Sequence, residues 1–190
     1  MARRWNAATF ILVVFVATVC GRPYKGGRTK DHQYDFTKFL KASERIWTYF
    51  SSWNDTFICK VDIIKNISGK HVELETQYNI SDKKYSHRLS GILANVWRKE
   101  SPMNILYMKD ETNDRLYKEF VFASSNYTCA VILVERFYGW PPVTFDLLVK
   151  ESQLDKGPSA DCMKEYNDNV NDRKIGQKNR TVYDLKCRSH

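Results

Sequence analysis

The fold is decided by residues 129–162, which read CAVILVERFYGWPPVTFDLLVKESQLDKGPSADC. The run that begins at Cys129 is rich in β-branched and aromatic residues, which favour strands. Gly139 and two prolines interrupt this run, because proline fixes φ and has no amide hydrogen to donate. Residues 143–149 then form a second run with a period of two. The pattern predicts a β-hairpin.

A helix is predicted to follow the hairpin. Gly157 and Pro158 turn the chain, and Ser159 is a suitable N-cap. The apolar residues that follow recur at helical spacing; they are Cys162, Met163, Tyr166 and Val170. A disulfide between Cys129 and Cys162 would hold this helix against the hairpin. Because an isolated hairpin is not stable in water, the hairpin must belong to a larger sheet formed by upstream residues.

The first twenty residues have the pattern of a secretory signal peptide. Arg3 and Arg4 precede an uncharged, mostly apolar run over 7–19, and small residues follow it. The run is shorter than the ~20 residues that a membrane-spanning helix needs. We therefore predict a signal peptide over 1–20, and a secreted product that does not span a membrane.

The remaining chain is predicted to contain one domain. Residues 21–34 are basic and polar and are expected to be flexible, whereas 35–190 have the length of a single domain that buries roughly 70% of its surface. Removal of 1–20 leaves four cysteines. An even number in a secreted chain indicates two disulfides, with three pairings possible; the cysteines are Cys59, Cys129, Cys162 and Cys187.

Five sequons for N-glycosylation lie at or near breaks between the periodic runs. Because a glycan requires an exposed asparagine, their positions mark surface loops and strand ends. We predict a heavily glycosylated protein, with candidate sites at Asn54, Asn66, Asn79, Asn126 and Asn179.

The charge balance leaves two interpretations open. Without Arg3 and Arg4, 28 basic residues face 22 acidic ones, and the net charge is +6. In a cytosolic protein this excess would favour nucleic acid as a partner. A secreted chain without a Lys/Arg block or an RNA-binding signature argues against that partner. The excess is then a solvated basic surface, or it attracts an anionic ligand or a cell surface.

The middle of the chain is a succession of predicted strands with short connections. Residues 71–80 alternate strictly, and an outward Asn79 directs Val72, Leu74 and Tyr78 inward. Eight antiparallel strands close into an up-and-down barrel that admits one small ligand. The predicted fold is this mostly β barrel, with a helix over 35–47 before it, the helix after the hairpin, and a short final strand over 181–187. The eight strands are 48–53, 56–64, 71–80, 85–97, 104–109, 116–123, 128–138 and 143–149.

These elements resemble the salivary lipocalins of ticks, a family that includes histamine-binding proteins, over essentially the whole mature chain. The resemblance implies a secreted lipocalin barrel with disulfides Cys59–Cys187 and Cys129–Cys162. It is carried by the opening helix with Asp35 and Lys38, by Phe57–Cys59, by Cys129–Val131, by Phe145–Leu147 ahead of Cys162, and by Cys187. We expect a monomer without a cofactor or a metal.

Members of that family bind small host mediators at the bite site. Some bind histamine or serotonin, others leukotrienes, thromboxane or a sterol, and a few bind complement protein. The amine-binding branch carries Asp, Glu and an aromatic residue where this chain has Ala130, Asp146 and Leu148, and it often carries Trp where this chain has Thr37. The resemblance therefore implies sequestration of a mediator, with a lipid or eicosanoid favoured over an amine.

Each ligand class requires different lumen residues. An ammonium needs buried carboxylates and aromatic rings, whereas a fatty-acid-like mediator needs an apolar tunnel with a cation or tyrosine at its mouth. Counting from a glycosylated Asn126 makes Glu135 one candidate carboxylate of the lumen, although the more usual interpretation is an exposed strand-end residue beside Arg136. Asp146 is a weaker second carboxylate. The candidate lining residues are Trp47, Tyr49, Trp53, Tyr78, Tyr107, Phe120, Leu133, Glu135, Phe137 and Asp146.

No catalytic arrangement is found in the sequence. Its four histidines have no metal-ligand spacing, and no Ser or Cys lies in a nucleophile motif. We predict a protein that sequesters a small mediator without chemistry. The alternative is a protein-binding module that engages a host immune or complement protein through surface loops, and a tightly filled barrel would favour it.

Overall fold

The computed structural model describes residues 33–97, 100–111, 114–136, 143–172 and 179–189. The predicted signal peptide, most of the predicted flexible segment and Phe137 lie outside the described residues.

Eight antiparallel strands form a closed barrel. Each strand pairs with the next in sequence, and β8 pairs with β1, while β1 also pairs with β2, so that the sheet closes on itself. The predicted fold class, an eight-stranded up-and-down barrel, is confirmed. The strands are β1 Arg45–Ser51, β2 Ile58–Ser68, β3 His71–Ile80, β4 Lys83–Ala94, β5 Ile105–Asp110, β6 Arg115–Ala123, β7 Cys129–Arg136 and β8 Val143–Lys150.

The opening helix is shorter than predicted. Helix α1 spans only Phe36–Phe39, with the side chain of Asp35 accepting a hydrogen bond from the amide of Thr37. The second half of the predicted helix over 35–47 is wrong, because the chain turns at Ser43, where φ is +65°, and enters β1 at Arg45. The residues that follow are mainly β-branched and aromatic, and these residue types favour a strand over a continued helix.

Different elements pack against the inner and the outer face of the barrel sheet. Apolar side chains inside the barrel form one core with α1. A second core lies outside the barrel, where helix α2, Ala160–Asp172, packs on β6, β7 and β8. As a result β7 is buried on both faces from Cys129 to Val134. Because both faces are buried, apolar and polar residues do not alternate along β7, and the sequence does not show which residues face the lumen.

Two disulfides attach the C-terminal part to the barrel. Cys129–Cys162 joins β7 to α2, and Cys59–Cys187 joins β2 to a short 3-10 turn, Leu185–Ser189. This is the pairing that the family resemblance implies. The predicted final strand over 181–187 is wrong in its extent, since only β9, Arg180–Thr181, pairs with β1.

Four of the five predicted glycosylation sites are exposed, and Asn79 is half-buried within β3. The exposed asparagines are Asn54, Asn66, Asn126 and Asn179. Among the described residues, no helix has the length and apolar character needed to cross a membrane.

Gly91 lets β4 and β5 approach closely on the lumen side. A Cβ added there would lie 2.8 Å from the carbonyl oxygen of Tyr107 and 2.9 Å from a methyl carbon of Leu106. A backbone carbonyl does not yield as a flexible side chain does, so we expect Gly91→Ala to lower the free energy of unfolding by about 1–3 kcal/mol. Urea unfolding measures this loss. Ser90→Ala, at an exposed position on the same strand, should change stability by less than about 0.5 kcal/mol, and equal effects would refute the steric account.

Candidate ligand-binding site in the barrel lumen

One end of the lumen is filled with apolar side chains. Phe36 and Phe39 of α1 pack against Phe120 of β6, with ring centroids 4.2 and 5.5 Å apart. Leu40, Ile64, Leu106 and Ile132 complete this buried core. Because α1 closes this end, a ligand must be held at the opposite end.

The opposite end of the lumen contains an open cavity of about 310 Å³. This volume lies at the small end of the range found for ligand pockets, roughly 300–1,000 Å³. Its walls combine aromatic rings with cations, among which Trp53, Phe57 and Tyr78 face Lys60, Lys118 and Arg136. Such walls suit a small amphiphile that carries a charged group.

A buried ion pair spans the lumen beneath the cavity. The ammonium of Lys118 lies 2.7 Å from a carboxylate oxygen of Asp62, and Thr76 donates a 2.6 Å hydrogen bond to the other oxygen. Burial opposes ionisation of Asp62, but the charges of Lys118 and Lys60 and the two hydrogen bonds outweigh it and hold its pKa below the ordinary value of 3.8. Asp62 is therefore an ionised carboxylate that is already paired with Lys118.

A second pair lies beside the first. Lys60 is 3.5 Å from Asp146, whose other oxygen accepts a 2.6 Å hydrogen bond from Ser51. Burial lowers the pKa of Lys60, with Asp146 and Asp62 opposing that change. The two ion pairs form a polar layer, defined here as Lys60, Asp62, Lys118 and Asp146, between the apolar core and the cavity.

The depressed pKa of Asp62 predicts a loss of stability in acid. A carboxylate whose pKa is lower in the folded state contributes stability above its unfolded pKa and loses it as the pH falls through its folded pKa. We expect the free energy of unfolding to decrease as the pH is lowered below about 3.8. The double variant Asp62→Leu/Lys118→Met should lose less over the same range in urea titrations. Equal losses in the two proteins would contradict the assignment.

Arg136 is a cation of the cavity that forms no ion pair with any of the residues the structure describes. Its guanidinium stacks on the ring of Trp53 at 3.7 Å and donates a 3.0 Å hydrogen bond to the hydroxyl of Thr144. Burial lowers its pKa, partly offset by Asp146 and Asp55, yet an arginine remains charged at neutral pH. Among the described residues it forms no salt bridge. It is therefore placed to bind an anionic group.

Tyr78 lines the cavity beside Phe57, with the two ring centroids 6.0 Å apart in an edge-to-face contact. Its ring stacks on His87 and Tyr85, at 5.7 and 5.6 Å between centroids, and its hydroxyl lies 3.1 Å from Nε2 of His87. Burial raises the pKa of Tyr78, with Asp55 and Tyr85 adding to the effect. The hydroxyl consequently stays protonated and adds a neutral polar group to the mouth.

The structure brings four of the ten candidate lining residues into the lumen. Trp53 and Tyr78 line the cavity, Asp146 lies in the polar layer, and Phe120 lies in the apolar core. Asp146 is almost fully buried, with 1% of its surface exposed. It faces inward because Phe145 and the other alternate residues of β8 pack outward in the second core.

Trp47, Tyr49 and Leu133 require a correction, because they lie on the outer face of the barrel. All three belong to the core beneath the C-terminal elements, where Trp47 and Tyr49 contact the ring of Tyr183 at 5.2 and 5.6 Å. Their burial, which the sequence pattern signalled, is real. It comes from the covering tail and helix, and not from the lumen.

Tyr107 and Glu135 also require a correction. Tyr107 lies on the uncovered outer face and is 48% exposed, and Glu135, on the same face as Leu133, is half-buried at the end of β7. Counting from Asn126 fails because Tyr127 has φ of +54° in a turn before the strand, so the alternation does not carry through. Phe137 lies outside the described residues.

Sequence reasoning missed the cations Lys60, Lys118 and Arg136. A signal for Lys60 was present in the cysteines. The disulfide from Cys59 to the tail at Cys187 places the Cys59 side chain outside the barrel, and strand alternation then directs Lys60 inward. Lys60 does line the cavity, although Cys59 has φ of +55° at an irregularity in the pairing of β2 with β3.

The closed topology, the helix at one end and the cavity at the other define a lipocalin-type barrel. No protein-family model and no curated protein matches the chain. Among solved structures, it is similar to the siderocalin Ex-FABP, reported to function through dual ligand specificities, with 11% identity, a TM-score of 0.49, and coverage of 70% of this chain and 82% of that one. It is also similar to Japanin from Rhipicephalus appendiculatus bound to cholesterol, with 11% identity, a TM-score of 0.49, and coverage of 76% and 95%.

Proposed function

We propose that this protein binds and sequesters a small lipid mediator with a carboxylate group, such as an eicosanoid, in the lumen cavity, and that it performs no chemistry. The observation that carries the proposal is Arg136, a half-buried cation stacked on Trp53 that forms no salt bridge among the described residues. A ligand carboxylate would supply the missing anion in a charge-assisted, two-point contact.

The charges of the lumen support an acid over an amine. Each carboxylate of the polar layer has a lysine beside it. Lys118 donates a hydrogen bond to Asp62, whereas Lys60 makes a 3.5 Å ion pair with Asp146, whose Oδ2 accepts no hydrogen bond among the described residues. An ammonium ligand that paired with either of these carboxylates would have to displace one of those lysines and leave it buried without a partner, which is costly. Two further carboxylates that line the cavity, Asp55 and Asp110, are only half-buried. The aromatic rings of Trp53, Phe57 and Tyr78 provide the apolar surface that a lipid body needs.

We propose further that the protein is secreted. Under this proposal residues 1–20 are a signal peptide, 35–190 form the lipocalin domain, and the product acts outside the cell in the manner of the tick salivary family. The two disulfides support this, because such bonds form and persist in oxidising compartments.

Native mass spectrometry of the secreted, deglycosylated protein tests the proposal. The protein is offered arachidonate, a leukotriene, a thromboxane analogue, cholesterol, histamine and serotonin in one mixture. We expect a single mass shift that corresponds to one of the carboxylic acids. A shift for histamine or serotonin alone would refute the acid assignment. No shift at all from a folded protein with both disulfides would refute sequestration for this panel.

A second function, binding of a host immune or complement protein, is favoured by one observation. Ile92 and Tyr107 lie on the outer face that α2 does not cover, and they are 50% and 48% exposed. Lys109 and Arg115 border them in the same surface groove. The double variant Ile92→Ser/Tyr107→Ser would abolish such binding and leave the mass shift for a carboxylic acid unchanged.

A further inference from the structure

One segment of the chain supplies much of the cavity wall. Residues 52–57, called the lid segment here, connect β1 with β2 and contribute Trp53, Asp55 and Phe57 to the cavity. The two aromatic rings lie 5.6 Å apart. The position of the lid segment therefore determines the width of the opening.

Arg180 holds both halves of the lid segment. Its guanidinium donates one hydrogen bond to the carbonyl of Trp53, at 3.2 Å, and another to the carbonyl of Phe57. The same group lies over the ring of Phe57, 4.4 Å from its centroid. A planar guanidinium can make these three contacts together, whereas a lysine ammonium is a point donor that cannot reproduce them.

The backbone of Arg180 is itself fixed to the strands on either side of the lid segment. Ser51 of β1 pairs with Arg180 in β9. Two residues further on, Val182 accepts a 2.7 Å hydrogen bond at its carbonyl from the amide of Cys59, and its amide donates one of 3.0 Å to the carbonyl of Tyr49. The disulfide Cys59–Cys187 ties the same region to β2. The backbone at Arg180 is thus held in place independently of the contacts that its side chain makes with the lid segment.

We infer that Arg180 is a positioning residue that keeps the lid segment over the cavity, so that the C-terminal tail sets how fast a ligand leaves the lumen. This inference rests on the proposed function. The two arginines have separate roles in it. Arg136, on β7, contacts Trp53 and would bind the ligand carboxylate. Arg180 contacts the carbonyls of the lid segment and is not proposed to contact the ligand.

The test compares Arg180→Lys and Arg180→Ala with Arg188→Ala. Arg188 is a matched control, since it lies in the same tail and pairs with Asp155 at the surface, 2.5 Å away. Hydrogen exchange of the peptide over 52–57 is measured without ligand, and the release rate of cis-parinaric acid is measured by fluorescence. In both Arg180 variants we expect exchange and release to be at least about tenfold faster, the effect of losing a hydrogen bond to a charged group. The control should match the wild type.

Two results would overturn the inference. One is unchanged exchange over 52–57 in folded Arg180→Lys, the milder variant, which keeps the charge. The other is faster exchange with an unchanged release rate, which would show that the lid segment does not control release. If the wild type does not bind cis-parinaric acid, the proposed ligand class fails, while hydrogen exchange still decides whether Arg180 positions the lid segment.

Discussion

Replacing Asp62 by alanine is expected to lower the free energy of unfolding by about 3–5 kcal/mol. The loss does not measure the strength of the ion pair. It arises because Lys118, which is as buried as its partner, would remain charged in the barrel without a counter-ion. Nearby Asp146 offers little compensation, because it already faces Lys60. Urea unfolding monitored by tryptophan fluorescence gives the value.

A double variant separates this explanation from simple loss of packing. Asp62→Leu/Lys118→Met removes both charges and keeps apolar volume, and buried pairs replaced in this way are often neutral or stabilising. We therefore expect the double variant to recover most of the loss, and to be more stable than Asp62→Ala by at least about 2 kcal/mol. If the double variant is as unstable as the single one, the uncompensated charge is not the cause.

Replacing Arg136 by leucine is expected to weaken binding of a lipid carboxylate by about 10–100-fold. This range corresponds to the loss of a hydrogen bond to a charged group, about 1.5–3 kcal/mol. Leucine keeps an apolar contact with Trp53, so the cavity wall should persist. Titration with cis-parinaric acid, followed by its fluorescence, measures the dissociation constant.

Two controls make this prediction specific to charge. Arg136→Lys keeps the cation but loses the planar contact with Trp53, and should show an intermediate affinity. The methyl ester of the same fatty acid lacks the anion, and its affinity should be nearly equal in the wild type and in Arg136→Leu. An ester that is as sensitive to the substitution as the free acid would show that Arg136 acts through shape alone.

The sequence predicted the barrel because its strands carry regular signals. The strict alternation of residues 71–80 correctly directs Val72 and Leu74 into the lumen core and Tyr78 into the cavity wall. An even number of cysteines and a run of short strands likewise identified a disulfide-bonded, mostly β domain. These features depend on local pattern, which a single sequence displays in full.

The candidate site was predicted less well, because its residues break the pattern. Alternation assumes an apolar inner face, but Lys60, Asp62 and Lys118 point inward. Asp62 pairs with Lys118, and Lys60 pairs with Asp146, on strands that are distant in sequence. On β7 the reverse holds, since Leu133 is buried from outside by α2. Neither the charge partners nor the covering helix can be read from the strand that carries the residue.

The polar layer also limits the length of ligand chain that the lumen can enclose. A hydrocarbon tail that reaches Lys60 and Asp62 meets two ion pairs, and beyond them the space is already taken by Phe36, Phe39 and their neighbours. Further methylene groups therefore find no apolar surface to cover, and a long straight chain must bend back or protrude. The barrel thus discriminates by chain length as well as by charge, because only a short or folded acid can bury its whole chain, whereas a long one binds with part of its chain outside the lumen.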